Sequence, residues 1–400
     1  MTEDPTITTA IIHAVITRPN QEPRKGSILL RDGKILEILP DQLPSLPRSV
    51  KRINADNCRV CPGFIDLHVH GAGGRHFLDP PYRKLESILR TLHGLGTTSL
   101  LPTLSAASPK EILAYLSFIR EHKAEGTLSS SILGVNLEGP FLSIGKRGAQ
   151  PLRALRQPDI SLLDQILKEG EGLIKIMTLA PELEGALKLV PRLKKAGVIP
   201  AAGHTQADYE ITVEALKKGL SYATHFFNSY PPLHHRAPGP LAAVLEAEKV
   251  DLELIADGFH VSPVMIRLLF RLKEFEHIIL VTDGTAALGE RLTTFSMGGR
   301  EVNLEQGAPR LRDGTLVGST VSLNRSLKNI IEFVGLPFSR ALALVTLHPA
   351  RVLGISSSKG DLGEGMDADL VIMDEKFNVK RTIVAGRTVY SSPGSDKKEK

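Results

Sequence analysis

From residue 62 the chain reads Pro-Gly-Phe-Ile-Asp-Leu-His-Val-His-Gly-Ala-Gly-Gly, and its apolar residues alternate with Asp66, His68 and His70. A period of two predicts a strand with Ile65, Leu67 and Val69 on one face and the acid and both imidazoles on the other. Gly71, Gly73 and Gly74 end it in a loop. Taken by itself, the pattern fits one wall of a metal site and fits equally a half-exposed strand with solvated histidines.

Comparable strand-like runs recur at 64–70, 98–103, 132–138, 174–180, 198–204, 222–225, 252–257 and 278–283. Between them lie stretches with helical spacing, among them 109–124, 160–169, 183–196, 207–218 and 263–273. Eight strands alternating with helices predict an α/β fold, a (β/α)8 TIM-like barrel whose active site lies at the carboxyl ends of the strands. Both chain ends have a different texture. Short strands are expected at 7–17, 26–31 and 34–39, with Asp32-Gly33 as a hairpin turn, and at 368–374, 379–384 and 388–390, with Ala385-Gly386 as another. The predicted organisation is a small β-sandwich domain formed from residues 1–60 and 351–390, a barrel over 61–350, and a polar, disordered tail over 391–400.

Bulk properties narrow the class. At 400 residues the chain is long enough for a barrel of roughly 250 residues plus a second domain. With 42% hydrophobic and 23% charged residues it has the composition of an ordinary globular protein. No apolar run approaches the ~20 residues that a membrane span needs, and the first residues lack a basic, apolar leader, so a cytoplasmic protein without a membrane partner is expected. A net charge of +5, without basic stripes interleaved with aromatics, argues against nucleic acid as a partner. The only cysteines, Cys58 and Cys61, have C-x-x-C spacing but no second pair and lead into a strand. They read as two free thiols in a reducing compartment.

The ends of the predicted strands carry chemistry. His68 and His70 end the first, Glu138 the third, His204 the fifth, His225 the sixth and Asp283 the eighth. All six are metal-ligand types, and their convergence on one rim predicts a divalent-metal site. His13, His93, His122 and His277 have no such placement and read as surface or structural residues.

These residues sit in motifs that resemble the amidohydrolase superfamily and, within it, the N-acetylglucosamine-6-phosphate deacetylase branch, over about residues 9 to 390. The motifs are the 62–74 stretch, Asn136-Leu137-Glu138-Gly139-Pro140-Phe141, Gly203-His204-Thr205 and Thr224-His225-Phe226-Phe227-Asn228 with His235-Arg236-Ala237-Pro238-Gly239. Asp257-Gly258-Phe259-His260-Val261 and Val281-Thr282-Asp283 complete the set. The resemblance implies a homodimeric, metal-dependent hydrolase that removes the N-acetyl group from a phosphorylated amino sugar. Some members have Gln and Asn in place of the first-strand histidines and hold one metal. Because this chain keeps both, one or two ions are implied, with Glu138 as bridge, His204 and His225 on one ion, and His68, His70 and Asp283 near the other. Zinc, iron, manganese and cobalt all suit such ligands.

The implied mechanism follows. A divalent ion lowers the pKa of its water toward ~7. Asp283 then takes the proton as general base and returns it to the sugar nitrogen as general acid. The alternative for Asp283 is a strand-ending residue that caps the turn at Gly284. Asn228, Arg236 and His260 match positions that meet the sugar phosphate, with Arg236 reaching across a dimer interface and the backbone N–H at Ser229 adding a nest. Two departures stand out. Gln150 replaces the usual sugar-facing His, and His348, where Asn is usual, reads as structural. Residues 284–320 form a long excursion with turns at Gly298-Gly299 and Asp313-Gly314 between short β-like runs, expected to cover the site, with a surface hairpin as the alternative. Rival readings are an amidohydrolase acting on another N-acyl substrate and a non-catalytic scaffold. The absence of a lysine at the end of the fourth strand counts against amidohydrolases that carry a carboxylated lysine there.

Overall fold

A computed structural model describes residues 8–40, 46–47, 49–79, 85–124 and 130–393. Eight strands follow one another around a single sheet: β1 (Phe64–Val69), β2 (Thr97–Leu104), β3 (Val135–Glu138), β4 (Ile174–Leu179), β5 (Ile199–Ala202), β6 (Tyr222–Ala223), β7 (Asp251–Leu254) and β8 (Ile278–Leu280). Neighbours from β2 to β8 pair in parallel. Beyond β8, Gly284 makes a parallel bridge to Val69, and the Asp283 N–H donates to the His68 carbonyl at 2.8 Å. The last strand thus returns to the first, and the expected barrel forms.

In β1 every residue is buried, so its alternation does not separate solvent from core. It separates two buried environments, which removes the half-exposed reading of the histidines. Strands β5, β6 and β8 end before the residues expected to close them, because His204, His225 and Asp283 adopt φ of 48°, 29° and 48°. Non-glycine residues in this region carry backbone strain that the surrounding structure must hold. Apolar periodicity cannot report such a turn.

Helix boundaries follow their caps. Pro109–Ala124 and Ile160–Glu169 match the expected spans, the second capped by Asp159, whose carboxylate accepts from the backbone of Ser161 and Leu162. Tyr209–Lys218 starts two residues later than expected because Asp208 is its cap, and Pro263–Leu272 is capped by Ser262. Ala186–Lys195 starts after Gly185, whose φ of 86° no helix continues through. Its buried face carries Leu189, Val190 and Leu193, and burial of each stabilises by about 1.5–3 kcal/mol.

The chain divides into two compact units, one comprising Met1–Asp66, Leu89–Ser99 and Leu323–Lys400, the other Leu67–Ile88 and Leu100–Ser322. The first holds an eight-stranded sheet from both chain ends. Its strands are Thr9–Ile16, Arg24–Arg31, Lys34–Leu39, Lys51–Asn54, Arg59–Pro62, Leu370–Met373, Val379–Val384 and Arg387–Ser391. The two ends meet where Arg59–Pro62 pairs antiparallel with Leu370–Met373. Asp32 and Gly33, at φ 50° and 77°, and Ala385 and Gly386, at 47° and 75°, form the expected hairpin turns. Ile11, Ile28, Val60, Leu370 and Ile383 belong to the core. Cys58 and Cys61 form no disulfide, and burial pushes the Cys61 thiol up to about 12. The last strand reaches Ser391, one residue into the stretch expected to be tail. Residues 394–400, and Ile7 at the start of the first expected strand, lie outside the described residues. Among the described residues no helix is long and apolar enough to cross a membrane.

Candidate metal centre and active site

All six expected ligands are buried within the second unit. His68 lies on β1 and His70 just past it; Glu138 closes β3. The donor atoms of His68, His70 and Asp283 lie within 4.8 Å of one another, and so do those of Glu138, His204 and His225. Glu138 joins the groups. Its Oε1 is 2.8 Å from His204 Nε2 and 2.9 Å from His225 Nε2, while Oε2 is 3.3 Å from His70 Nε2. Asp283 Oδ1 is 3.2 Å from His70 Nε2 and 3.6 Å from His68 Nε2.

The outer nitrogens of the rings show what this arrangement suits. His70 Nδ1 faces the Thr103 carbonyl at 3.1 Å, His204 Nδ1 the Lys146 carbonyl at 2.8 Å, His225 Nδ1 the Asn228 carbonyl at 3.2 Å and His68 Nδ1 a carboxylate oxygen of Glu253 at 2.8 Å. These partners are acceptors, and the Ser105 hydroxyl, also 3.1 Å from His70 Nδ1, can accept too, which assigns the proton to Nδ1 and turns every Nε2 lone pair inward. The His68 and His70 Nε2 atoms are 3.2 Å apart, as are those of His204 and His225. Two such lone pairs at that separation repel unless a cation or a proton lies between them. The donor set therefore fits divalent metal.

The carboxylates around the rings favour positive charge on them. Burial pulls the His68 and His70 pKa values down, but neighbouring carboxylates overcome it: Glu253 chiefly lifts His68 to about 9, and Asp283 and Glu138 lift His70 to about 10. His225 is raised in the same way by Glu138. Burial pushes Asp283 up, yet His70 and His68 hold it below the ordinary carboxylate range, and His204 and His225 do the same for Glu138.

A cavity of about 180 Å³ opens onto this cluster, and Gln150, Asn228, Ser229 and His260 line it. Asn228 is braced by donating to the His225 and Phe226 carbonyls. Ser229, at φ 62°, accepts the Thr205 N–H through its own carbonyl. His260 Nδ1 meets Asp257 Oδ2 at 2.7 Å, and Asp257 also accepts the backbone N–H of Phe259 and His260. Gln150 is turned toward the metal cluster: its Nε2 donates to Glu138 Oε2, and its Oε1 accepts the Ala106 N–H at 2.8 Å. Arg236 is exposed, its guanidinium 3.0 Å from His235 Nε2, and is not among the residues lining the cavity.

The 284–320 excursion contains a three-stranded antiparallel sheet, Thr294–Met297, Arg300–Glu305 and Ala308–Arg310. Gly298 and Gly299, at φ 58° and 78°, make its first turn. Met297, Thr315, Leu316 and Gly318 line the catalytic cavity. Phe295 and Gly299 line a second cavity of about 590 Å³, which shares His70, Ala149 and Met297 with the first. His13, His93, His122 and His277 line neither cavity: His13 is exposed, His93 is bound to the Thr97 carbonyl, His122 to the Phe118 carbonyl and His277 to Asp251.

Pattern reading did not find Glu253. It is fully buried on β7, and its Oε2 contacts both His68 Nδ1 and the backbone N–H of His225 at 2.8 Å. The available signal was an acid inside an apolar strand, Leu252-Glu253-Leu254-Ile255.

Known proteins carry the same arrangement of chain. The N-acetylglucosamine-6-phosphate deacetylase of Bacillus subtilis (strain 168) is 35% identical over 387 residues, covering 96% of this chain and 97% of the relative. The N-acetylgalactosamine-6-phosphate deacetylase of Escherichia coli O157:H7 is 34% identical over 358 residues, covering 90% and 93%. A solved structure of a Mycobacterium smegmatis N-acetyl-D-glucosamine-6-phosphate deacetylase mutant in complex with N-acetyl-D-glucosamine-6-phosphate superposes with a TM-score of 0.86 at 29% identity, covering 96% of this chain and 100% of that one. With the profile of the Amidohydrolase family matching residues 59–389, the chain belongs to the amidohydrolase family.

Proposed function

We propose that the chain is a metal-dependent deacetylase that hydrolyses the N-acetyl group of N-acetylglucosamine 6-phosphate, giving glucosamine 6-phosphate and acetate. The observation that carries this reading is the pair of ligand groups joined by the two oxygens of Glu138, with Asp283 beside them. His204, His225 and Glu138 would hold one ion, and His68, His70 and Asp283 a second, of zinc, iron, manganese or cobalt. When bound, such an ion supplies Lewis acidity and a lowered water pKa. Asp283 takes a proton from the attacking water as its oxygen bonds to the acetyl carbon. The same carboxyl returns the proton to the sugar nitrogen as the C–N bond breaks.

Asn228, Ser229 and His260 meet the sugar phosphate, and Arg236 supplies the planar fork that suits phosphate oxygens. Gln150 acts on the bridging carboxylate and sets how the sugar approaches it. Homodimerisation is supported by an exposed apolar set: Leu233 (50% exposed), Phe259 (46%), Val264 (56%), Leu268 (41%) and Leu272 (60%). Val264, Leu268 and Leu272 fall four residues apart on the Pro263–Leu272 helix, on one face. Two cysteines without a disulfide and a phosphorylated substrate support a cytoplasmic site of action.

The test is acetate release from N-acetylglucosamine 6-phosphate, its unphosphorylated form and the 6-phosphate of N-acetylgalactosamine, with bound metal counted in the same sample. Preference for the glucosamine phosphate supports the reading, and preference for the galactosamine epimer changes the sugar but not the reaction. Inactivity on all three with metal present moves the chain to an amidohydrolase of another N-acyl substrate.

A further inference from the structure

A buried carboxylate is expensive to keep, and Glu253 is poorly provided for: Oε1 has no hydrogen-bond partner among the described residues, and both contacts fall on Oε2. An apolar residue would suit that strand position better, since Glu253 is itself fully buried. What Glu253 does gain is reach into both ligand groups through one oxygen. His68 belongs to the group with His70 and Asp283, and His225 to the group with Glu138 and His204. The bond to His225 falls on the backbone N–H of a residue held at φ 29°.

We propose that Glu253 is the positioning residue of the metal centre: it holds His68 with Nε2 facing the ion and pins the strained backbone of His225, so that one carboxylate sets the geometry of both halves. This rests on the deacetylase reading for the identity of the centre, but its own content is metal affinity rather than turnover. The carboxylate touches neither substrate nor reacting atoms. It acts through the imidazole, as second partners of metal-bound histidines do. Glutamine has the same shape, but its single oxygen is the weaker acceptor and its amide hydrogens would occupy the unpartnered side.

Wild type, Glu253→Gln and Glu253→Asp are stripped with a chelator and titrated with Co²⁺, following visible absorption and ions per chain, with thermal unfolding of the metal-free proteins alongside. Glu253→Gln is expected to bind Co²⁺ about 10- to 100-fold more weakly. Glu253→Asp, which keeps the charge one methylene further back, should fall between Gln and wild type. If Glu253→Gln loses thermal stability yet binds Co²⁺ as wild type does, Glu253 is only structural and the proposal is overturned. Wild type that binds Co²⁺ but releases no acetate from any of the amino-sugar phosphates defeats the deacetylase reading, while the affinity difference would still support the positioning role. Should the variants fail to fold, proton NMR of wild type fully loaded with Co²⁺ decides. A shifted, exchangeable N–H assigned to Nδ1 of His68 supports the positioning role, and one assigned to Nε2, with the ion on Nδ1, overturns it.

Discussion

Asp283 Oδ1 lies 3.2 Å from His70 Nε2, with both side chains nearly inaccessible to solvent. On the proposed reading this carboxylate is one of the metal ligands and is also placed to exchange a proton with anything bound between them. Replacing it with asparagine keeps the volume and one oxygen but removes the proton acceptor. Asp283→Asn should lower kcat by about 10²–10⁴ or more, with metal content near wild type. Acetate release and elemental analysis on one preparation check this, and a wild-type rate would remove Asp283 from proton transfer.

The protons that the carboxylates favour on His68 and His70 make a pH-dependent prediction. In the ion-free protein His68 and His70 have pKa values raised to about 9 and about 10, against roughly 6.5 in an unfolded chain. Their contribution to stability is therefore complete below about pH 6.5 and is lost as pH rises through 9 and 10. The Tm of chelator-treated protein should fall steadily from about pH 7 to pH 10. Metal-loaded protein should lose less over that window, because the ion has displaced those protons, and loading near pH 8 should release protons into a weak buffer. Parallel Tm curves with and without chelator would contradict the assignment.

Arg236 tests the phosphate reading from the opposite side, because in one chain its guanidinium leans on His235 and not on the cavity. Removing it should raise KM for N-acetylglucosamine 6-phosphate by tenfold or more while changing hydrolysis of the unphosphorylated sugar little. An equal effect on both substrates would show that Arg236 supports the loop and does not meet phosphate.

How these sites came to be readable in the chain differs from one to the next. His68 and His70 were legible because a strand's period of two places them on one side whatever surrounds it, and the eight-strand count followed from runs long enough to carry a period. His204, His225 and Asp283 were legible as residue types, but their left-handed backbone was not, since nothing in an apolar run marks where pairing stops and a strained turn begins. Gln150 was legible as a substitution and illegible as a contact: whether its amide faces sugar or Glu138 depends on the Ala106 N–H, 44 positions away. Glu253 was hidden because burial of an acid is decided by its partners, and both of those lie on other strands or loops. The sheet inside 284–320 was legible as turns between short β-like runs, but its three-strand pairing was not, because the strands are too short to carry a clear period.

The contact between Gln150 and Glu138 carries the last prediction. Gln150 Nε2 donates to the oxygen of Glu138 that faces His70, and its own oxygen takes the Ala106 N–H. Gln150→Glu would keep the second bond and turn the first into carboxylate against carboxylate. Two such groups in contact cannot both ionise at small cost, so the pKa of the pair rises in the fold. Relative to wild type, the metal-free variant should be destabilised in full above that raised pKa, and the gap should close as pH falls toward about 4, where the unfolded acid also protonates. Loading with metal should narrow the gap at neutral pH by supplying positive charge between the two carboxylates. Thermal unfolding of both proteins from about pH 5 to pH 8, with and without metal, reads this directly. A Tm difference independent of pH would mean that Gln150 does not face Glu138 in solution and is free to meet the sugar.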